Sequence, residues 1–181
     1  MRLEVFTGFV KRLVKALNRS RIEYMFTGAL AASYYGRPRT TLDIDIVITA
    51  RRSDLAPLKK WLAHAGLKVR QRELESAWRS DCRIVTLQDT KSPHTLDIMF
   101  SDRKLNRIIG RISGLPTYYE TAESLILAKL RRLKVTLQPE RAAIDRADIK
   151  AILETNSIDL RSLRRKAKAQ RTSKILDDLI T

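Results

Sequence analysis

Apolar residues recur at helical spacing over residues 3–18, where Val5, Phe9, Leu13 and Leu17 fall on one face and predict an amphipathic helix. A short strand is expected at Tyr24–Phe26. Gly28 breaks it, and "ALAASYY" then has helical composition as far as Gly36. "GRPRTT" reads as a loop, because Pro38 forces extended geometry on its neighbour. "LDIDIVIT" carries the strongest strand signal in the chain, alternating and rich in β-branched residues. Residues 53–65 predict a helix with Ser53 as N-cap, a stripe of Leu55, Leu58, Trp61 and Leu62, and Gly66 as its end. Strands are expected near Lys68–Arg72, at Arg83–Leu87 and over "HTLDIMF", residues 94–100.

The character changes after about Tyr119, where strand signals stop. "TAESLILAKLRRLK" predicts a helix capped at Thr121 with a stripe of Leu125, Ala128 and Leu133. A second helix starts with Pro139 in its first turn, where proline is tolerated. Two weaker helices are expected at 159–169 and 172–180. The chain therefore divides into an α/β part, residues 1–116, and an all-helical part, residues 117–181. Glu120 and Glu123 read as acids of a helical first turn.

Charge changes this picture more than length does. Lys and Arg number 36 against 20 Asp and Glu, a formal net charge of +16 over 181 residues. Such a balance draws in polyanions and points to nucleic acid as a partner. The basic residues thicken at 161–174, "RSLRRKAKAQRTSK". No apolar run approaches the roughly 18 residues of a membrane-spanning helix, and the first residues lack a signal-peptide pattern. Cys82 is the single cysteine. It cannot form an internal disulfide, so a reducing, cytoplasmic setting is the expectation.

Two aspartates in the best strand need a reason. Strand side chains alternate faces, so Asp43, Asp45 and Val47 share one face and Ile44, Ile46 and Ile48 the other. The two carboxylates then lie about 7 Å apart and repel unless a cation joins them. "HTLDIMF" repeats the device, with Asp97 centred on a polar face opposite Leu96, Ile98 and Phe100. If the two strands are neighbours, three carboxylates form a site for a hard divalent cation, Mg²⁺ or Mn²⁺. His94 falls on the opposite side from Asp97. Tyr34, Tyr35 and Trp61 read as packing residues, and His64 as a histidine at a helix end.

The stretch "FTGALAASYYGRPRTTLDIDIVI", taken with Asp97, resembles the nucleotidyltransferase superfamily with its polymerase-β-like minimal fold. The resemblance is nearest to the nucleotidyltransferase toxins of abortive-infection toxin–antitoxin pairs and covers roughly residues 22–155. It implies a small mixed sheet flanked by helices, with a helical C-terminal subdomain. It implies a nucleoside triphosphate as substrate, with transfer of the monophosphate to an acceptor hydroxyl. Asp43, Asp45 and Asp97 would be the metal ligands and catalytic residues. Gly28, Ala29, Arg39 and Lys129 would address the triphosphate. The acceptor implied is RNA, tRNA ends being favoured by the charge, or else a protein or small molecule, and an antitoxin protein would be a partner. Ala29 stands where the family carries Gly or Ser. That departure keeps open a non-catalytic nucleic-acid- or partner-binding protein on the same scaffold.

Overall fold

The structure is a computed structural model that describes residues 2–36 and 38–180. Arg37, within the expected loop, lies outside them. The chain separates into two compact units: Met1–Leu30 with Thr40–Glu120, and Ala31–Arg39 with Thr121–Thr181.

The first unit is built on a mixed six-stranded sheet. Its strands are β1 (Glu23–Phe26), β2 (Asp43–Thr49), β3 (Ile84–Gln88), β4 (Thr95–Ser101), β5 (Arg107–Ile112) and β6 (Leu115–Glu120), in the order β3-β4-β2-β1-β6-β5. β2 runs parallel to β4 and antiparallel to β1, and β1 runs parallel to β6. One face is mainly apolar. Ile44, Ile46 and Ile48 of β2 and Leu96 and Ile98 of β4 have no exposed surface. Tyr24 and Phe26 lie directly across from Ile48 and Ile46 and so join the same face. Helix α1 (Arg2–Ser20) covers that side with Phe9, Leu13, Val14 and Leu17, all buried, whereas Val5 is exposed. His94 is buried among these residues, stacked on Phe9 with ring centroids 6.0 Å apart.

Each fully buried isoleucine contributes about 1.5–3 kcal/mol by leaving water. Slipping β2 by one residue would bury Asp43 and Asp45 and expose all three isoleucines, so the register is firmly specified.

Two segments differ from the sequence pattern. The expected strand near Lys68–Arg72 is reduced to one bridge, Leu67 to Asp89, and the chain then enters helix α4 (Gln71–Arg79). The reason is local: Glu73 accepts from the Arg70 backbone N–H at 3.3 Å, and Leu74 and Ala77 bury one face. In addition, β5 and β6 form a hairpin whose two turn residues, Ser113 and Gly114, both have positive φ, as the tight turn matching strand twist demands. Helix α3 spans Leu55–His64, and Ser53 lies before it in a 3-10 turn, Arg52–Asp54, so it does not cap the helix.

Helix α2 (Gly28–Tyr34) follows β1 directly. The second unit holds the end of α2, the loop to Arg39, and helices α5 (Ala122–Val135), α6 (Pro139–Thr155), α7 (Leu160–Ala169) and α8 (Ser173–Ile180). Tyr35 is tied to the end of α6, its carbonyl accepting from Thr155 Oγ1 at 2.5 Å and from Asn156 Nδ2 at 2.9 Å. Among the described residues no helix is long and apolar enough to cross a membrane.

Candidate active site

The carboxylate strands are neighbours. In the parallel register of β2 on β4, Asp45 lies directly across from Asp97, and Asp43 across from Thr95. Residues paired in this way project from the same face, so all three carboxylates stand opposite the isoleucine face. Asp43 is exposed, and Asp45 and Asp97 are half-buried.

Threonines hold the outer two. Thr95 Oγ1 donates to Asp43 Oδ1 at 2.5 Å, and Thr86 Oγ1 on β3 donates to Asp97 Oδ1 at 2.6 Å. The row continues across the sheet. Thr27, just past β1, donates its N–H to the Asp45 carbonyl at 3.0 Å, and its Oγ1 donates to Glu120 Oε2 on β6 at 2.5 Å. Thr86, Asp97, Asp45, Thr27 and Glu120 thus form one polar line over four strands and the end of β1. Thr86, Thr95 and Glu120 have no signal in the sequence. Glu120 ends a strand and is buried, with 8% exposure, rather than opening a helix.

Among the described residues, no three His, Cys, Asp or Glu side chains are drawn together into a metal cage. The donor chemistry of this face nonetheless suits a hard cation. Each threonine takes a single oxygen, and Oδ2 of Asp43 and Oδ2 of Asp97 accept no hydrogen bond among the described residues. Carboxylate oxygens of three aspartates on one face are the kind of donor that Mg²⁺ or Mn²⁺ prefers.

Gly28 shapes the approach to Asp45. Its φ is +60°, and a Cβ built there would sit 2.7 Å from Asp45 Cγ. Only glycine meets both conditions. Gly28→Ala is expected to cost about 2–3 kcal/mol, from left-handed strain plus displacement of the Asp45 side chain. In a domain of this size that is a fall of roughly 5–10 °C in melting temperature, readable by circular dichroism. Ala29, next in the turn, is buried.

Arg39 and Lys129, expected at the triphosphate, fall in the helical unit. Lys129 has 1% exposure, and its ammonium donates to Asp145 Oδ1 at 3.0 Å and to Asp148 Oδ2 at 2.8 Å. Arg132 also binds Asp145 through two nitrogens, and Arg39 lies 3.6 Å from Asp148. Lys129, its ammonium enclosed by two carboxylates, is the centre of a buried ion network and does not present itself to a triphosphate.

Burial alone would raise the proton affinity of Asp145. The hydrogen bonds from Arg132 and the charges of Lys129 and Arg132 outweigh that and hold its carboxyl below the ordinary value of 3.8. The folded chain therefore keeps this proton off at pH values where the unfolded chain binds it. The resulting stabilisation is complete above about pH 4 and drains away as pH falls below that value. Unfolding free energy measured in denaturant should decline from about pH 4 downward, and Asp145→Asn should flatten that decline.

No protein-family profile and no curated protein matches the chain. Solved structures do match. The solution structure of the antibiotic-resistance factor ANT(2'')-Ia superposes with a TM-score of 0.64 at 13% identity over 97% of both chains. A crystal structure of ANT(2'')-Ia in complex with adenylyl-2''-tobramycin gives 0.66 at 14% identity, covering 91% of this chain and 96% of that one. An antigenic nucleotidyltransferase-like protein from Paracoccidioides brasiliensis gives 0.61 at 15% identity, covering 96% and 91%. The mixed sheet, the carboxylate-bearing strand pair and these superpositions agree: the chain has the nucleotidyltransferase fold.

Proposed function

We propose that the chain transfers a nucleoside monophosphate from a nucleoside triphosphate to an acceptor hydroxyl. The observation that carries this is the β2–β4 register, which sets Asp45 across from Asp97 with Asp43 two residues along the same face. Asp43, Asp45 and Asp97 would hold Mg²⁺ or Mn²⁺, and that cation, when bound, supplies charge neutralisation for the triphosphate and for the developing negative charge. The fold likeness to a protein solved with an adenylylated product supports the same reaction class.

The residues of the sheet unit have distinct parts. Asp97 accepts the proton of the acceptor hydroxyl as general base. Thr86 holds Oδ1 of Asp97, leaving Oδ2 for that proton. The hydroxyl oxygen bonds to the α-phosphorus, the bond from that phosphorus to the bridging oxygen of the β-phosphate breaks, and pyrophosphate leaves. Gly28, without a side chain, lets phosphate oxygens approach the turn beside Asp45. Thr27, fixed on Glu120 and on the Asp45 carbonyl, keeps that turn in place. A toxin role in a toxin–antitoxin pair belongs to this reading as its biological setting.

The test is label transfer. Purified protein is incubated with Mn²⁺ or Mg²⁺, with each nucleoside triphosphate labelled at the α-phosphate in turn, and with RNA, protein and small-molecule acceptors. Transfer that disappears in Asp43→Ala supports the proposal. No transfer to any acceptor, together with no metal-dependent triphosphate binding, rejects it and leaves the second reading, a non-catalytic binding protein on this scaffold. Ala29, which has no hydroxyl for a phosphate, favours that second reading.

A further inference from the structure

Helix α7 carries a cationic stripe opposite a buried one. Arg161, Arg164, Arg165 and Lys168 follow the i, i+3, i+4, i+7 spacing of a single helix face, and all four are exposed. Leu163 and Ala167 lie on the other side with no exposed surface. Among the described residues Arg161, Arg165 and Lys168 take part in no ion pair, and Arg164 has only a weak one, 3.5 Å from the solvated carboxylate of Asp177. Lys166, off the stripe, is the cation that α7 gives to Glu123, at 2.8 Å.

The series runs past the helix end. Arg171 is exposed and has a φ of +57°, a conformation usually left to glycine after a helix. Arginine stands here where glycine would be unstrained.

We propose that this stripe is a docking surface for the phosphodiester backbone of a nucleic acid. Seven residues of helical rise from Arg161 to Lys168 span about 10 Å, which matches roughly three phosphate spacings along one strand. Three alternatives fit less well. A membrane surface or an acidic peptide groove would take up the apolar face of a basic amphipathic helix, and here Leu163 and Ala167 are already in the core of the unit. A small cationic acceptor is disfavoured by the net charge of +16. Residues 160–174 contain no aromatic side chain, so the surface reads phosphates and does not stack bases, and binding should tolerate sequence. Naming this nucleic acid as the acceptor rests on the proposed transfer reaction; the docking itself does not.

The experiment measures binding by fluorescence anisotropy with labelled single-stranded RNA, duplex RNA and duplex DNA of about 20 nucleotides. It compares the natural chain, Arg165→Glu with Lys168→Glu, and a control of equal charge change in the sheet unit, Arg72→Glu with Arg79→Glu. The α7 pair should bind at least about tenfold more weakly at about 100 mM salt, with the slope of log affinity on log salt shallower by about two. The control should lose clearly less. Which labelled strand binds tightest identifies the source of the backbone. Circular dichroism verifies folding, and Arg165→Gln with Lys168→Gln replaces the pair if reversal disturbs it. Equal losses in both variants, no loss in the α7 pair, or no binding of any of the three probes by the natural chain would each overturn the docking surface. Asp45→Ala separates the two readings: it should lose transfer and keep RNA binding, whereas RNA bound with no transfer even by the natural chain removes the enzyme reading and keeps this one.

Discussion

An Asp45→Asn chain is expected to transfer nucleotide at least about a thousandfold more slowly than the natural chain while remaining folded. A factor of a thousand corresponds to about 4 kcal/mol in the barrier, the size expected when one charged group is lost from a site that stabilises spreading negative charge. Asparagine has nearly the same shape, so the contact with Gly28 and the β2–β4 register survive. The substitution also removes one of two carboxylates lying directly across from each other, so the melting temperature without metal should hold or rise slightly. Metal supplies a readout independent of turnover. Mg²⁺ or Mn²⁺ at a hundred times its dissociation constant should stabilise the natural chain by about 2.7 kcal/mol, and the variant by much less. Undiminished transfer by Asp45→Asn, or equal metal stabilisation of both chains, would remove these carboxylates from the chemistry.

The second large effect concerns stability. Lys129→Met should cost about 3–5 kcal/mol, because methionine fills the space of the lysine stem but leaves two carboxylates in a place with almost no solvent. The lower end is expected, since Arg132 stays on Asp145 and Arg39 stays near Asp148. A chain that also carries Asp145→Asn and Asp148→Asn should recover much of the loss, because the uncompensated charges go with the lysine. Urea unfolding of the single and triple variants measures both. A loss below about 1 kcal/mol in the single variant would show that the network is well hydrated and that Lys129 is free for another task.

The sheet was readable because its two best strands obey the period of two so strictly. Ile44, Ile46, Ile48, Leu96 and Ile98 mark a core face, and the three aspartates lie on the other. That pattern marks the two strands; the fold class comes from the resemblance of residues 22–155 to nucleotidyltransferases. What joins the carboxylates was not readable. Thr86 and Thr95 are ordinary strand residues until the register sets them beside Asp97 and Asp43. In the helical part the pattern misleads for a physical reason. α6 buries Asp145, Asp148, Ile149 and Ile152, a stripe at helical spacing whose first half is ionic. Acids at such positions look solvent-facing, and a lysine between Leu125 and Leu130 looks like a surface residue. Each is buried only because the other is. Pairing of this kind is a tertiary fact with no one-dimensional signature.

The division of the chain at Leu30 and Thr40 bears on how it is made. The helical unit is not a continuous piece of sequence. Ala31–Arg39 leaves the ribosome long before its partners, and the hydrogen bond from Thr155 to the Tyr35 carbonyl closes a separation of 120 residues. A fragment that starts at Thr121 would lack Tyr35 as the tether for the end of α6 and Arg39 as a neighbour for Asp148. Late closure of such a long loop slows folding, so the finished unit must wait for nearly the whole polypeptide to be synthesised. Expressing the two halves as separate genes should therefore give a helical piece that matures only when the amino-terminal piece is present.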